Sequence, residues 1–406
     1  MTPEMLQALL GADGSAALAA AAPLAAGDPL AGVEALRRSG YPADLAAAAY
    51  GQATLRARAA AKFGPDAARM WFTADGLQQA TRPVVADRRA RRLAAAGVRT
   101  VLDLCCGIGT DALAYARAGL RVTAVDADPG TAAVAAANAE SAGLSHLVDV
   151  RCADATTVDR AGADAVFCDP ARRSGGRRVF DPSAYSPPWD FLLDLTAGTT
   201  CLKLGPGIDH ALLPPGAEAE WVSVRGEVVE AALWCGPLAR VPRRATVLDA
   251  TGAADLTGDG TREATVGPVR AYLYEPDGAV LRAHLVAELA DRIGGTIGEP
   301  GVGYLYTDRP AATPFARGYA VDEVLAYSVK RLRAVLRSRG VGVVTIKKRG
   351  IALDPDALRR QLKPAGDATA TVVVTRIAGT PTALLCTPLP AGGAVGNARP
   401  AGTGGG

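Results

Sequence analysis

An α/β fold built on a largely parallel sheet is what this 406-residue chain predicts, and three observations carry it. From residue 99 to about residue 205, short apolar runs alternate with helical segments, the pattern of consecutive βαβ units. The helical segments close at glycines, Gly119 and Gly143 among them. The first strand runs straight into a glycine-rich turn that opens a helix.

Taken in order, residues 1–95 read as helices. ADLAAAAYGQATLRARAAAKFG (43–64) and RPVVADRRARRLAAAG (82–97) are rich in alanine and each stops at a glycine. RTVLDLCC (99–106) is the first strand, TDALAYARAG a helix, LRVTAVDA the second strand and DPGTAAVAAANAESAG a helix with Pro129 near its start. LVDVRCAD, ADAVFCDP and TTCLKLGPG supply three more strands, with the helix WDFLLDLTAG before the last. EAEWVSVRGEVVEAALWCG (218–236) is two extended runs around Arg225-Gly226, expected as a hairpin at a sheet edge.

These readings set the domain bounds: a helical region over 1–95, the α/β domain over 96–240, and a linker or edge segment over 241–267 that is rich in Gly, Asp and Thr. A small α+β domain follows over 268–390. Its elements are RAYLYEP, a helix VLRAHLVAELADRIGG, GYLYTD, a helix EVLAYSVKRLRAVLRSRG, VGVVTIKKRG, a short helix PDALRRQL, and two closing strands. The Gly/Pro/Ala-rich end, 391–406, is expected to be disordered.

Composition narrows the function classes. Hydrophobic residues make up 49% and charged residues 21%, ample for two or three globular domains, and a net charge of +3 does not mark the whole chain as a nucleic-acid binder. The seven cysteines are odd in number and form no CxxC pair, which favours a reducing compartment over a disulfide framework. The three histidines are far apart, so no metal site is expected. The N-terminus lacks a basic leader before an apolar core, and neither secretion nor membrane anchoring is expected; the protein reads as cytoplasmic.

The most informative stretch is VLDLCCGIGTDALAYARAGLRVTAVDADP. A strand ends in Asp103, Gly107-x-Gly109 opens a helix, and Asp126 closes the next strand 19 positions after Gly107. Glycines there admit a ligand close to the backbone, a helix N-terminus offers free N–H groups, and the later acid suits ribose hydroxyls. Gly107-x-Gly109-x-x-Ala112 also satisfies the dinucleotide fingerprint, so a nicotinamide-dependent dehydrogenase is a competing reading. Against it stand the hundred residues before the loop, an acid (Asp103) suited to an amino-acid ammonium, and a fourth strand ending in Asp169-Pro170.

At these residues the chain resembles the class I S-adenosylmethionine-dependent methyltransferases, whose first motif is an acid followed by three alternating glycines. Here it is Asp103-x-Cys105-x-Gly107-x-Gly109, with cysteine in place of the first glycine. The resemblance implies a Rossmann-like, doubly wound, seven-stranded sheet and S-adenosylmethionine as cofactor. By position it implies Asp103 on the methionine ammonium, Asp126 on the ribose, and Asp154 facing the adenine amino group, with Cys105, Gly107 and Gly109 forming the loop.

The fourth strand breaks into Asp169-Pro170-Ala171-Arg172-Arg173, with Arg177 and Arg178 close behind. This is similar to the (D/N)PP-aromatic and DPPR motifs of nucleic-acid methyltransferases, where the acid or amide accepts a hydrogen bond from the target base. Ala171 replaces the second proline and Arg172 the aromatic residue, which leaves the base open. The resemblance implies Asp169, Pro170 and Arg172 as catalytic residues, with Arg173 on RNA. A thiolate mechanism is disfavoured: Cys168 points to the face opposite Asp169, and Cys201 begins its strand rather than ending it.

Local charge appears late. From Ser328 to Lys363 there are eleven Lys/Arg against Asp354 and Asp356, a local balance of +9 that includes Lys347, Lys348 and Arg349 at a strand end. That is the footprint expected for phosphate backbones. The order of elements, with KFGPDAARMWFTADGLQQAT at 62–81, resembles a bacterial family of methyltransferases with a C-terminal THUMP-like domain, and this implies RNA, tRNA or rRNA, as partner. Residues Phe72-Thr73 and Gln79-Ala80-Thr81 are candidates to close over the cofactor. The rival from another class is an RNA-binding protein with a vestigial cofactor pocket.

Overall fold

The computed structural model describes residues 1–172 and 184–390. Its chain divides into two compact units: Met1–Glu218 with Ala231–Arg240, and Ala219–Glu230 with the remainder from Val241 onward. The regions expected as 1–95 and 96–240 thus fall within one unit except for Ala219–Glu230.

That first unit begins with helices α1 (Pro3–Leu10), α2 (Ala12–Ala21), α3 (Pro29–Arg38), α4 (Ala43–Phe63), α5 (Ala74–Gln79) and α6 (Pro83–Ala95). Their starts carry local capping: Thr2 accepts from the Met5 amide, Asp28 from the Ala31 amide at 2.9 Å, and Thr73 from the Gly76 amide at 2.9 Å. The alternating part follows as β1 (Thr100–Leu104), α7 (Thr110–Arg117), β2 (Arg121–Asp126), α8 (Pro129–Ser141), β3 (Val148–Cys152) and β4 (Ala165–Cys168). A two-stranded ladder, β5 (Ala171–Arg172) with β6 (Tyr185–Ser186), leads to α9 (Trp189–Leu195) and β7 (Thr200–Leu204). Then come β8 (Glu218–Val224) and β9 (Glu227–Trp234).

β1, β2, β3, β4 and β7 pair in parallel, and β9 pairs β7 antiparallel. The strand order β9-β7-β4-β1-β2-β3, with β8 beside β9, is doubly wound as expected, and two further strands described below bring this sheet to nine. The chain enters at β1 in the middle and winds to both sides, so the crevice for a ligand lies over the carboxyl ends of β1, β2 and β4. Under the sheet the core is aromatic and aliphatic. Tyr115 and Phe167 meet edge to face at 5.7 Å, and the buried Arg89 guanidinium lies 4.5 Å over Phe167.

A buried ion pair ties α6 to β8. Glu218 is fully buried and accepts from both terminal nitrogens of Arg92 at 2.7 Å and from the Arg240 amide at 2.9 Å, while Arg92 stacks 4.0 Å over Trp234. Glu218→Ala takes the carboxylate from a guanidinium that has little water. We expect a loss of about 3–5 kcal/mol, read as a lowered midpoint in denaturant. A change below about 1 kcal/mol would assign the pair no more weight than an exposed one.

In the second unit, β10 (Arg243–Asp249) pairs β8 in parallel and β11 (Gly252–Gly258) antiparallel. The segment expected as linker or edge, 241–267, thus carries two strands, and β10 and β11 lie beyond the β8–β9 hairpin, which is not the sheet edge. A separate seven-stranded sheet has the order β13-β14-β12-β15-β18-β17-β16. It is built from β12 (Tyr272–Pro276), β13 (Thr296–Ile297), β14 (Leu305–Thr307), β15 (Ala316–Ala326), β16 (Val341–Lys348), β17 (Ala368–Ile377) and β18 (Thr380–Pro388). Helices α10 (Gly278–Arg282), α11 (Val286–Ile293), α12 (Val329–Ser338) and α13 (Pro355–Leu362) complete the unit.

Two expected helices are shorter than read. VLRAHLVAELADRIGG is broken because His284 takes a left-handed conformation (φ 59°) between α10 and α11. EVLAYSVKRLRAVLRSRG is strand up to Ala326, where residues 323–326 pair with β18, and Ser328 caps α12. Tertiary pairing overrides the helical content of EVLA. Among the described residues no single helix is long and apolar enough to cross a membrane.

Candidate active site

The loop after β1 is built for close approach. Cys106 donates its amide to the Val125 carbonyl at 2.9 Å, which ties the loop to β2. Gly109, at the head of α7, has φ 83°, and a Cβ there would stand 3.3 Å from that of Ala135. Gly107 also has positive φ, but no atom lies within 4 Å of where its Cβ would be. One glycine is required by packing and conformation, the other keeps open space over the backbone. Cys105, in place of the motif's first glycine, also adopts a left-handed conformation (φ 62°).

Around this loop stand the sequence-predicted acids. Asp103 is fully buried, and neither carboxyl oxygen has a hydrogen-bond partner among the described residues. Burial pushes its carboxyl well above the usual range, Asp111, Asp169 and Cys105 push the same way, and Arg89 opposes them. A buried carboxylate without a partner costs free energy unless a cation arrives. A ligand ammonium is such a cation. Asp126 is half-buried; its Oδ2 accepts from the Gly107 amide at 2.9 Å and its Oδ1 from the Asp128 amide at 3.0 Å. Each oxygen keeps a second lone pair for a ligand hydroxyl. Asp154 is exposed, and its Oδ1 closes a turn by accepting from the amide and hydroxyl of Thr156, both at 2.8 Å.

Asp169 follows β4, with its amide donating to the Leu104 carbonyl at 3.2 Å. Its Oδ2 forms an ion pair with Lys203 Nζ from β7, and the two side chains are 29% and 13% exposed. Burial raises the Asp169 carboxyl while Lys203 pulls it down. Pro170 is buried directly after it. Arg172 lies in β5; Arg173, Arg177 and Arg178 lie outside the described residues, as does the tail 391–406.

Lys203 is a site residue that sequence reasoning missed. Cys168 pairs with Leu202 across β4 and β7, so the residue after each strand partner falls at the same sheet end. Lys62 is a second omission. Its ammonium donates to the Leu77 carbonyl at 2.9 Å and the Gln78 carbonyl at 3.5 Å. Burial, with Lys203 and Arg82 nearby, pushes it down to about 8, against Asp169.

The N-terminal helices reach this loop through two buried amides. Asn138 accepts from the Trp71 amide at 2.7 Å and donates to the carbonyls of Trp71 (3.0 Å) and Ile108 (2.9 Å). Gln52 bonds both backbone groups of Phe72 at 2.9 Å. Thr81 donates to Asp111 at 2.5 Å. Of the stretches expected over the cofactor, Phe72 and Thr81 are buried and hydrogen-bonded and Thr73 is a helix cap.

Cysteine chemistry finds no support in the geometry. Cys168 and Cys201 are fully buried, and a hydrogen bond with Cys105, then burial, hold the Cys168 thiol well above its ordinary range, so it is not a thiolate nucleophile. Among the described residues no group of three His, Cys, Asp or Glu is arranged to hold a metal ion.

In the second unit, Lys347 is committed to Glu275 at 2.6 Å, and Arg349 lies 5.4 Å over Tyr304. Lys348 is exposed. On α12 and α13 the outward residues Lys330, Arg331, Arg337 and Arg360, with Lys363 just after, are exposed too. The two helices are joined by Arg333, whose guanidinium donates to the Gln361 carbonyl. Their apolar faces, Leu332, Leu336, Leu358 and Leu362, are buried against β16 and β17.

Comparison with known proteins agrees with this layout. Residues 101–172 match a methyltransferase domain family, residues 316–388 a THUMP domain-like family, and residues 2–59 a family described as a domain of unknown function. An uncharacterized S-adenosylmethionine-dependent methyltransferase of Mycobacterium tuberculosis, found in strains CDC 1551 and H37Rv, is 40% identical over 335 residues, 80% of this chain and 90% of the relative. The crystal structure of a protein from Porphyromonas gingivalis W83, assigned to the methyltransferases, shares the fold with a TM-score of 0.70 at 22% identity, over 86% of this chain and 92% of that one. With an orphan buried acid, an open glycine loop and this degree of likeness along most of its length, the chain belongs to the S-adenosylmethionine-dependent methyltransferases.

Proposed function

We propose that the enzyme methylates a base nitrogen in structured RNA, tRNA or rRNA. The observation that carries the reading is the strand-tip Asp169-Pro170. Lys203 holds Oδ2 of Asp169, and Oδ1 has no hydrogen bond from protein among the described residues. S-adenosylmethionine supplies an activated methyl group on a sulfonium. Asp103 holds the ammonium of the cofactor, Asp126 its ribose hydroxyls and Asp154 its adenine amino group, along the open backbone of Cys105, Gly107 and Gly109.

Asp169 then acts on the base. Oδ1 accepts an N–H of the target nitrogen, which turns the nitrogen's lone pair toward the methyl group, and the same oxygen takes the proton that the nitrogen releases. Its raised carboxyl makes it a better acceptor for that proton than an ordinary aspartate. Lys203 keeps the carboxylate in one orientation, Pro170 stiffens the turn, and orientation supplies much of the remaining rate. Arg172 and Arg173 contact base or phosphate. Support for RNA comes from the THUMP domain-like match and from the exposed cations of α12 and α13. Lys348 belongs to that patch; Arg349 stands beside it on an aromatic ring, and Lys347 takes part only if it leaves Glu275.

The test is incubation with methyl-labelled S-adenosylmethionine and unmodified tRNA and rRNA transcripts. Label in RNA is expected, and label in protein or small molecules instead would sink the reading. Arg331→Gln with Arg360→Gln should weaken RNA binding for all sequences alike and lower the salt slope by about two. An unchanged slope would place the RNA elsewhere.

A further inference from the structure

The turn after β1 is gripped from outside the motif at a single residue. Ile108 stands between Gly107 and Gly109, both in the left-handed region with φ 58° and 83°. Glycine loses more conformational freedom on ordering than any other residue. A turn with glycine on each side of one residue therefore needs an anchor if it is to be formed before its ligand arrives.

Ile108 is 2% exposed and is held at both ends. Its carbonyl accepts from Nδ2 of Asn138 on α8 at 2.9 Å. The same Nδ2 donates to the Trp71 carbonyl at 3.0 Å, and Oδ1 of Asn138 accepts from the Trp71 amide at 2.7 Å. Both hydrogens and the oxygen of this buried amide thus have partners. The side chain of Ile108 packs in one cluster with Trp71, Leu77 and Val134. Gly76 on α5 lies so close that a Cβ there would overlap the Cγ2 methyl of Ile108. The bare backbone at 76 is a condition for Ile108 standing where it does.

We propose that Asn138 and Gly76 are positioning residues for the cofactor. From α8 and α5 they fix Ile108, and through it they keep the turn of Gly107 and Gly109 in the form that binds S-adenosylmethionine. The inference rests on the cofactor assignment and is independent of the RNA reading. Apparent affinity falls with the fraction of chains already in the binding form. Loss of either contact is expected to lower that fraction, and so to raise the Kd, about tenfold.

The full chain and its Asn138→Ala and Gly76→Ala variants are titrated calorimetrically with S-adenosylhomocysteine, well below the melting temperature of each. Hydrogen exchange is followed in the peptide covering residues 105–110. Both variants should bind about tenfold more weakly and exchange faster in that peptide when ligand-free. Saturating S-adenosylhomocysteine should return its exchange to the wild-type rate. Gln52→Ala is the control for stability alone, because both ends of that amide bond Phe72 and neither bonds the turn. It should melt lower and keep the wild-type Kd. Gly76→Ala made on top of Ile108→Ala, which lacks the methyl that the new Cβ would meet, should weaken binding no further.

An unchanged Kd with unchanged exchange at 105–110 in Asn138→Ala overturns the role of Asn138. An equal rise in Kd in Gln52→Ala also overturns it, since general destabilisation then suffices. Additive effects of Gly76→Ala and Ile108→Ala would remove Gly76 from the proposal. Gly76→Ala tests the same turn from α5 should Asn138→Ala not fold.

Discussion

Asp169→Ala is expected to bind S-adenosylmethionine as tightly as the wild type and to lose about 10²–10⁴-fold in single-turnover methyl transfer, the range for removing a positioned acid–base group. Cofactor affinity survives because the acids suited to the cofactor, Asp103 and Asp126, lie at the ends of β1 and β2, while Asp169 follows β4. Calorimetry and a rapid-quench assay separate the two quantities, and unchanged turnover would refute the assignment. The pH profile supplies an independent sign. Asp169 is raised above the ordinary aspartate range, so its protonated, inactive form persists to higher pH, and the acid limb should lie above the value near 4 of a free aspartate. Lys203→Met removes the cation that opposes this rise and should move that limb further upward. A limb that stays in place would show that Lys203 does not set the charge of Asp169.

Asp103→Asn should act in opposite directions on the free and the loaded enzyme. In the ligand-free chain Asp103 is buried without a partner and its carboxyl is raised, so it favours folding only below the unfolded value of about 4 and this contribution is lost as pH rises through the folded value. A neutral amide removes the penalty at pH 7, and the ligand-free variant should melt at a higher temperature. The same change removes the carboxylate from the cofactor's ammonium, and S-adenosylmethionine should bind about 30-fold to 10³-fold more weakly, equivalent to 2–4 kcal/mol. Thermal melts with and without cofactor read both effects. A variant that loses stability when ligand-free and keeps its cofactor-induced rise would show that Asp103 is a structural acid.

How much of this was legible in the sequence depends on how far the partners stand apart. The loop from Asp103 to Asp126 is local, and its acids and glycines are placed by one strand, one turn and the next strand. Lys203 is 34 residues from Asp169 and meets it only because β4 and β7 pair in the register Cys168 to Leu202. Nothing in TTCLKLGPG distinguishes that lysine from a surface one. Lys347 shows the reverse, a basic residue in a basic stretch that is spent on Glu275, 72 residues away. The strand at 316–326 was hidden because EVLA has helical composition and only its pairing with β18 fixes it as extended.

The amides of Asn138 and Gln52 carry a consequence for how such an enzyme can be divided. Ile108, Val134 and Ala137, beside the cofactor loop, share one apolar cluster with Leu6, Leu9, Ala49 and Trp71 of the first helices. A gene fragment starting at residue 96 would keep every motif residue and still encode no independent catalyst. It would leave that cluster open to water and strip Asn138 of its partners on Trp71. Cutting the chain at residue 96 therefore removes part of what supports the motif as well as what precedes it.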